Sequence, residues 1–218
     1  IEHHSTASLG IYVFDTAHDT VTDMLKRADL AMYQAKSAGR NAVRFFEPDM
    51  QSIVSRRNAL ENRLRSALRQ REFELFYQPQ VTDQGTVLGF EVLLRWRHPE
   101  RGLIGPSEFI PIAEETGMIV PIGMWVIQQA AAKLASWAGQ ERTDKLTLSV
   151  NVSTRQFRDE YFLDQVLAVL RDTGVCEQRL TMELTGSLLA DDLQQVINKM
   201  KVLKAAGVSL SLDDFGTG

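Results

Sequence analysis

Four short stretches of this chain each carry a carboxylate or an amide on the polar side of a two-residue alternation. Over residues 90–96, Glu91, Leu93 and Arg95 oppose Phe90, Val92, Leu94 and Trp96. Over 146–152, Thr147, Ser149 and Asn151 oppose Leu146, Leu148, Val150 and Val152. Over 180–185, Thr181, Glu183 and Thr185 oppose Leu180, Met182 and Leu184; over 208–213, Ser209, Ser211 and Asp213 oppose Val208, Leu210 and Leu212. Side chains alternate across a strand, so each stretch reads as a strand with one apolar and one polar face. Laid side by side and parallel, the four bring Glu91, Asn151, Glu183 and Asp213 together. Three carboxylates and an amide suit a hard divalent cation, Mg²⁺ or Mn²⁺ rather than zinc. Without a cation the same acids repel one another, which makes a purely structural role for the set costly. Arg95 shares the face of Glu91 and can meet a phosphate with paired N–H donors; a rim salt bridge is its plainer use.

Helical spacing fills the intervals between these strands. Residues 107–115, 122–139, 161–173 and 191–206 read as helices, and 73–81 as a further strand joined to 87–96 across Asp83-Gln84-Gly85. Strand–helix alternation implies parallel strands with helical crossovers. Polar-out alternation also fits a solvent-facing antiparallel sheet, but the intervening helices argue against that. From Asn151 to Glu183 and from Glu183 to Asp213 the repeat is about 30 residues, the period of a (β/α)8 barrel, whose active sites lie at the C-terminal ends of the strands. The expected fold class is α/β, a TIM-like barrel cut off after about the fifth strand.

Before it, residues 8–14 and 42–46 read as strands around a helix at 19–40, an α+β remnant with a core too small to stand alone. Residues 49–70 form a charged helix with Ile53, Leu60, Leu64 and Leu68 on one stripe, read as a connector; such basic helices can also bind membranes. The expected organisation is 1–48, 49–70 and 71–218.

Composition narrows the class. The 218 residues are 44% hydrophobic and 24% charged, as in an ordinary globular chain. A net charge of −4 offers no basic footprint for duplex nucleic acid. Cys176 is the single cysteine, which excludes an internal disulfide and a thiolate metal cluster and fits a reducing compartment. The most apolar run, 118–132, is broken by Pro121, Gly123 and Gln128-Gln129, so no membrane span is expected. The first residue is not methionine, and the start reads as the middle of a longer protein. His98 reads as a loop histidine before Pro99, the three tryptophans as packing residues, and Glu114-Glu115 as a solvated helix face.

Several ordered motifs resemble the EAL-domain family: Glu91-Val92-Leu93-Leu94-Arg95-Trp96, Tyr77-Gln78-Pro79, Pro106 with Phe109-Ile110-Pro111, Asn151-Val152-Ser153, Glu183-Leu184-Thr185 and Asp213-Asp214-Phe215-Gly216-Thr217-Gly218. Residues 28–36 with Gly39-Arg40-Asn41 resemble the C-terminal end of a GGDEF domain, without its signature loop. The resemblance implies a phosphodiesterase that opens cyclic di-GMP to linear pGpG with Mg²⁺ or Mn²⁺. It implies metal ligation by Glu91, Asn151, Glu183, Asp213 and Asp214, with Asp214, Glu91 and Asp213 catalytic. Gln78, Leu93, Arg95 and Pro106 would contact the substrate. It further implies a cytoplasmic protein; any anchoring at the inner membrane would go through regions not present here. A homodimer through the EAL domain and sensor domains before Ile1 complete the expectation. Two positions depart from the family pattern: Val92 stands where alanine is usual, and Gly186 where active members carry a second glutamate. The family's downstream lysine, acids and glutamine would follow Gly218, so the 218 residues alone are expected to show no turnover. The departures also leave open a catalytically degenerate cyclic di-GMP receptor.

Overall fold

The computed structural model describes residues 5–14, 19–37, 39–185 and 193–213, with Asp213 described by its backbone. Asp214 and Gly186 lie outside the described residues. The chain divides into two units, Ile1–Asn62 and Arg63–Gly218.

In the first unit, strands β1 (Leu9–Ile11) and β2 (Val43–Phe45) pair in parallel, with helix α1 (Val21–Ser37) between them in sequence. Ala31 and Ala35 are the fully buried side chains of α1. Tyr12 donates a hydrogen bond to Asp19 at 2.5 Å, and Arg27 donates to both. The Arg27 guanidinium also lies over the rings of Tyr12 and Phe46. Helix α2 (Met50–Ala67) follows.

In the second unit, β3 (Phe73–Val81) and β4 (Val87–His98) form an antiparallel hairpin, and β5 (Gly102–Ile104) returns along the end of β4. Helices α3 (Pro106–Thr116) and α4 (Ile119–Ser136) lead to β6 (Thr147–Val152). The one-turn helix α5 (Thr154–Arg158) and α6 (Phe162–Thr173) lead to β7 (Leu180–Thr185); α7 (Leu193–Ala205) precedes β8 (Ser209–Asp213). Among the described residues the strand order is β3-β4-β6-β7-β8, and β4, β6, β7 and β8 run parallel. The predicted alternation of strands and helices is borne out. β5 and α5, too short for periodicity to reveal, are additions, and β4 runs to His98 rather than ending at residue 96.

The apolar faces meet the helical layer. Val92, Leu148, Val150, Val152, Leu180, Met182 and Leu184 are buried in one cluster with Ile127, Ala130 and Leu134 of α4 and Val166 and Leu170 of α6. The polar faces are left on the other side of the sheet. Trp96 is buried as expected and donates its indole N–H to Glu72 at 3.0 Å; Arg63 binds the same carboxylate. Trp125 and Trp137 are partly buried against the cluster. His98 is buried, its Nδ1 accepting the backbone N–H groups of Glu100 and Arg101, so it closes the β4–β5 turn. Among the described residues, no helix is long and apolar enough to cross a membrane.

Gly89 of β4 lies opposite Thr147 of β6. A Cβ there would run into the Thr147 hydroxyl and carbonyl oxygens. Gly89→Ala should therefore destabilise the second unit by about 1–3 kcal/mol through overpacking, read as a lower urea midpoint with an unchanged slope.

Candidate active site

Register decides which polar groups meet. Glu91 of β4 pairs with Ser149 of β6, so Asn151 lies two residues further along. Asn151 pairs with Glu183 of β7, and Glu183 with Ser211 of β8. Asp213 pairs with Thr185, again two residues further. The polar positions thus climb around the sheet as tilted barrel strands require.

Asn151 Nδ2 donates to Glu91 Oε1 at 2.8 Å, so these two side chains meet. Glu183 is the next-strand neighbour of Asn151, across a strand spacing of about 4.8 Å. The column is closed below and open above. Ser149 is buried and receives a long hydrogen bond from Gln80 at 3.4 Å, whereas Asn151 is exposed and Glu91 half-buried. The open end is the C-terminal end of the parallel strands, where barrel enzymes keep their sites. Among the described residues no group of three His, Cys, Asp or Glu side chains gathers closely enough to hold a metal. The donor set itself fits a hard cation: carboxylates on Glu91 and Glu183 and an amide carbonyl on Asn151, with no thiolate or imidazole.

The antiparallel hairpin supplies a second row. Gln78 pairs with Glu91, Phe76 with Leu93 and Glu74 with Arg95, so these side chains share the Glu91 face. Gln78 is exposed. A cavity of about 230 Å³ adjoins this row and brings together Leu93, Arg95, Pro106 and Asn151 with Glu114 and Gln156. Pro106 opens α3, where its missing N–H costs nothing. Ser153 caps α5, its hydroxyl accepting the N–H of Gln156 at 3.1 Å. Arg155 then donates to the backbone carbonyls of Glu114 and Glu115, fastening the end of α3 to the segment that follows Asn151.

Periodicity missed three of these groups. Gln156 is buried against Gly123 of α4, with Nε2 unsatisfied. Phe76 and Gln80 share the parity of Gln78, which is the signal that could have found them. Glu114 corrects an expectation: it is no solvated side chain but half-buried in the cavity wall. Burial raises its pKa, and the Arg155 charge offsets part of that.

The sign of the Glu114 effect follows. The unfolded carboxyl ionises near 4.5 and the folded one higher. Between the two values the folded state holds more protons, so its stability falls as pH rises through that window and levels off above it. Glu114→Gln should flatten this slope, seen as a midpoint of chemical unfolding that no longer drops as pH rises from 4.5.

A family model described as EAL domain matches residues 61–218, and one described as diguanylate cyclase, GGDEF domain, matches residues 1–42. The bifunctional diguanylate cyclase/cyclic di-GMP phosphodiesterase MucR of Pseudomonas aeruginosa is 38% identical over 98% of this chain and 31% of its own. The cyclic di-GMP phosphodiesterase PdeR of Escherichia coli is 36% identical over 100% of this chain and 33% of its own. The chain spans between about a quarter and a third of the length of the curated relatives it matches. The PaMucR phosphodiesterase, solved as a c-di-GMP complex, aligns with a TM-score of 0.70 at 38% identity, covering 73% of this chain and 65% of that one. The architecture of these neighbours is TIM-barrel-like, and the mixed α/β sheet follows it.

Proposed function

Because the chain belongs to the EAL-domain family, we propose that the protein carrying it hydrolyses cyclic di-GMP to linear pGpG with Mg²⁺ or Mn²⁺. The observation that carries this reading is the hydrogen bond from Asn151 to Glu91 at the open end of the parallel strands, with Glu183 on the adjoining strand. Names of the relatives support the substrate and the reaction.

In this reading Glu91, Asn151, Glu183, Asp213 and Asp214 hold the divalent ions. When bound, such ions supply a nucleophile at neutral pH and offset charge on the phosphoryl oxygens. Asp214 orients the attacking water and takes its proton. The water oxygen forms a new bond to phosphorus, and the bond from phosphorus to the ribose 3′ oxygen breaks. That oxygen leaves with a proton, and the product keeps a 5′ phosphate. Arg95 binds a phosphate through its N–H groups. Gln78 flanks the ring, and Leu93 and Pro106 contact base or sugar.

The same reading assigns residues 1–48 to a GGDEF remnant, 49–70 to a connecting helix and 71–218 to the EAL domain. It places the protein in the cytoplasm, supported by its single, exposed cysteine. It also includes a homodimer through the EAL domain and sensor domains elsewhere in the protein.

The complete protein given Mg²⁺ or Mn²⁺ should convert cyclic di-GMP to pGpG, resolved by chromatography, and excess EDTA should stop the conversion. Glu183→Gln should lower kcat by at least about tenfold. Binding without conversion at any metal concentration would instead identify a receptor.

A further inference from the structure

We propose that Phe76 is a positioning residue that holds the Arg95 guanidinium in place of a counter-ion, leaving its N–H groups for a phosphate. This rests on the reading of Arg95 as the phosphate contact. Strand register places Glu74 directly opposite Arg95. The expected cross-strand ion pair does not form. Glu74 instead binds Arg97 through both carboxylate oxygens, the Nη2 contact being 2.7 Å. That pairing holds the Glu74 carboxyl below its ordinary value, chiefly through the Arg97 hydrogen bond. Among the described residues Arg95 meets no carboxylate, so the rim salt bridge, its plainer use, is absent. Its Nη1 donates to the Leu94 carbonyl at 2.9 Å, and its Cζ lies 5.7 Å from the centre of the Phe76 ring.

That distance is inside the reach of a cation–π contact. The difference from a salt bridge is chemical. A carboxylate would occupy the N–H donors and cancel the charge an anion needs. The ring can hold the guanidinium without taking any N–H group, so those not given to the Leu94 carbonyl stay available. Phe76 is 42% exposed on the face that also carries Glu91 and Leu93, so burial does not account for a large apolar side chain there. Its neighbours along that face are Gln78 and Gln80, both polar. Arg95 itself is half-buried and lines the cavity that Leu93, Pro106 and Asn151 share. A guanidinium held there faces the same space as the candidate substrate contacts.

The test is cyclic di-GMP binding by the complete protein, measured calorimetrically in EDTA so that nothing turns over. Phe76→Leu should weaken binding about two- to fivefold, the range of a partly exposed cation–π contact. Phe76→Trp should restore it, because indole offers the stronger ring face. In an Arg95→Met background, Phe76→Leu should cause no further loss, which a merely structural role would not produce. Phe76→Leu binding like the wild type, or costing as much without Arg95, overturns the inference while leaving the phosphate reading intact. Wild-type affinity in Arg95→Met alone, or no binding by the wild type, overturns the phosphate reading and this inference with it.

Discussion

One register, Asn151 beside Glu183 across the parallel pair of β6 and β7, is the constraint from which the rest of the site follows. A slip of one residue would turn every polar side chain of a strand to the opposite face. What prevents the slip is the other face. Leu148, Val150, Val152, Leu180, Met182 and Leu184 are all essentially buried against α4 and α6. Removing each from water contributes about 1.5–3 kcal/mol. The apolar face therefore fixes the direction of the acids.

Carboxylates placed on one face of neighbouring strands oppose folding to the extent that they repel one another. Two arrangements moderate this. Asn151 places an amide donor against the Glu91 carboxylate, giving the charge a hydrogen-bond partner. Beneath them Ser149 and Gln80 close the column with neutral polar groups, so the charges stay at the wet end. The neighbouring row follows a related logic: Glu74 is drawn to Arg97, and Arg95 is left to an aromatic face. Arg155 serves the frame, tying the α3 end that bears Glu114 to the turn after Asn151.

Much of this was legible from parity and spacing. Alternation alone placed Glu91, Asn151, Glu183 and Asp213 on one face of neighbouring strands, because a two-residue period survives wherever one side of a sheet is apolar. Two short elements of the second unit, β5 and α5, were not legible. β5 has three residues and α5 five, less than two full periods of the pattern each would have to show. Glu114 reads as solvated because a helix pattern reports the apolar stripe and not what a later helix, α5, lays over its end. Phe76 was overlooked because an apolar residue in a strand is ordinarily assigned to the core; the hairpin register, not composition, puts it with Arg95. Gln156 was hidden for a similar reason, since its burial depends on the close approach of Gly123 from α4.

The proposed convergence of Glu91, Asn151 and Glu183 on a divalent ion is most directly tested by counting bound Mn²⁺ through loss of the free-ion electron paramagnetic resonance signal. The wild-type protein should hold Mn²⁺, Glu91→Gln and Glu183→Gln should each weaken it at least about tenfold, and Leu93→Ala should leave it unchanged. Equal Mn²⁺ affinity in the wild type and both glutamine variants would contradict the convergence of these side chains on a metal.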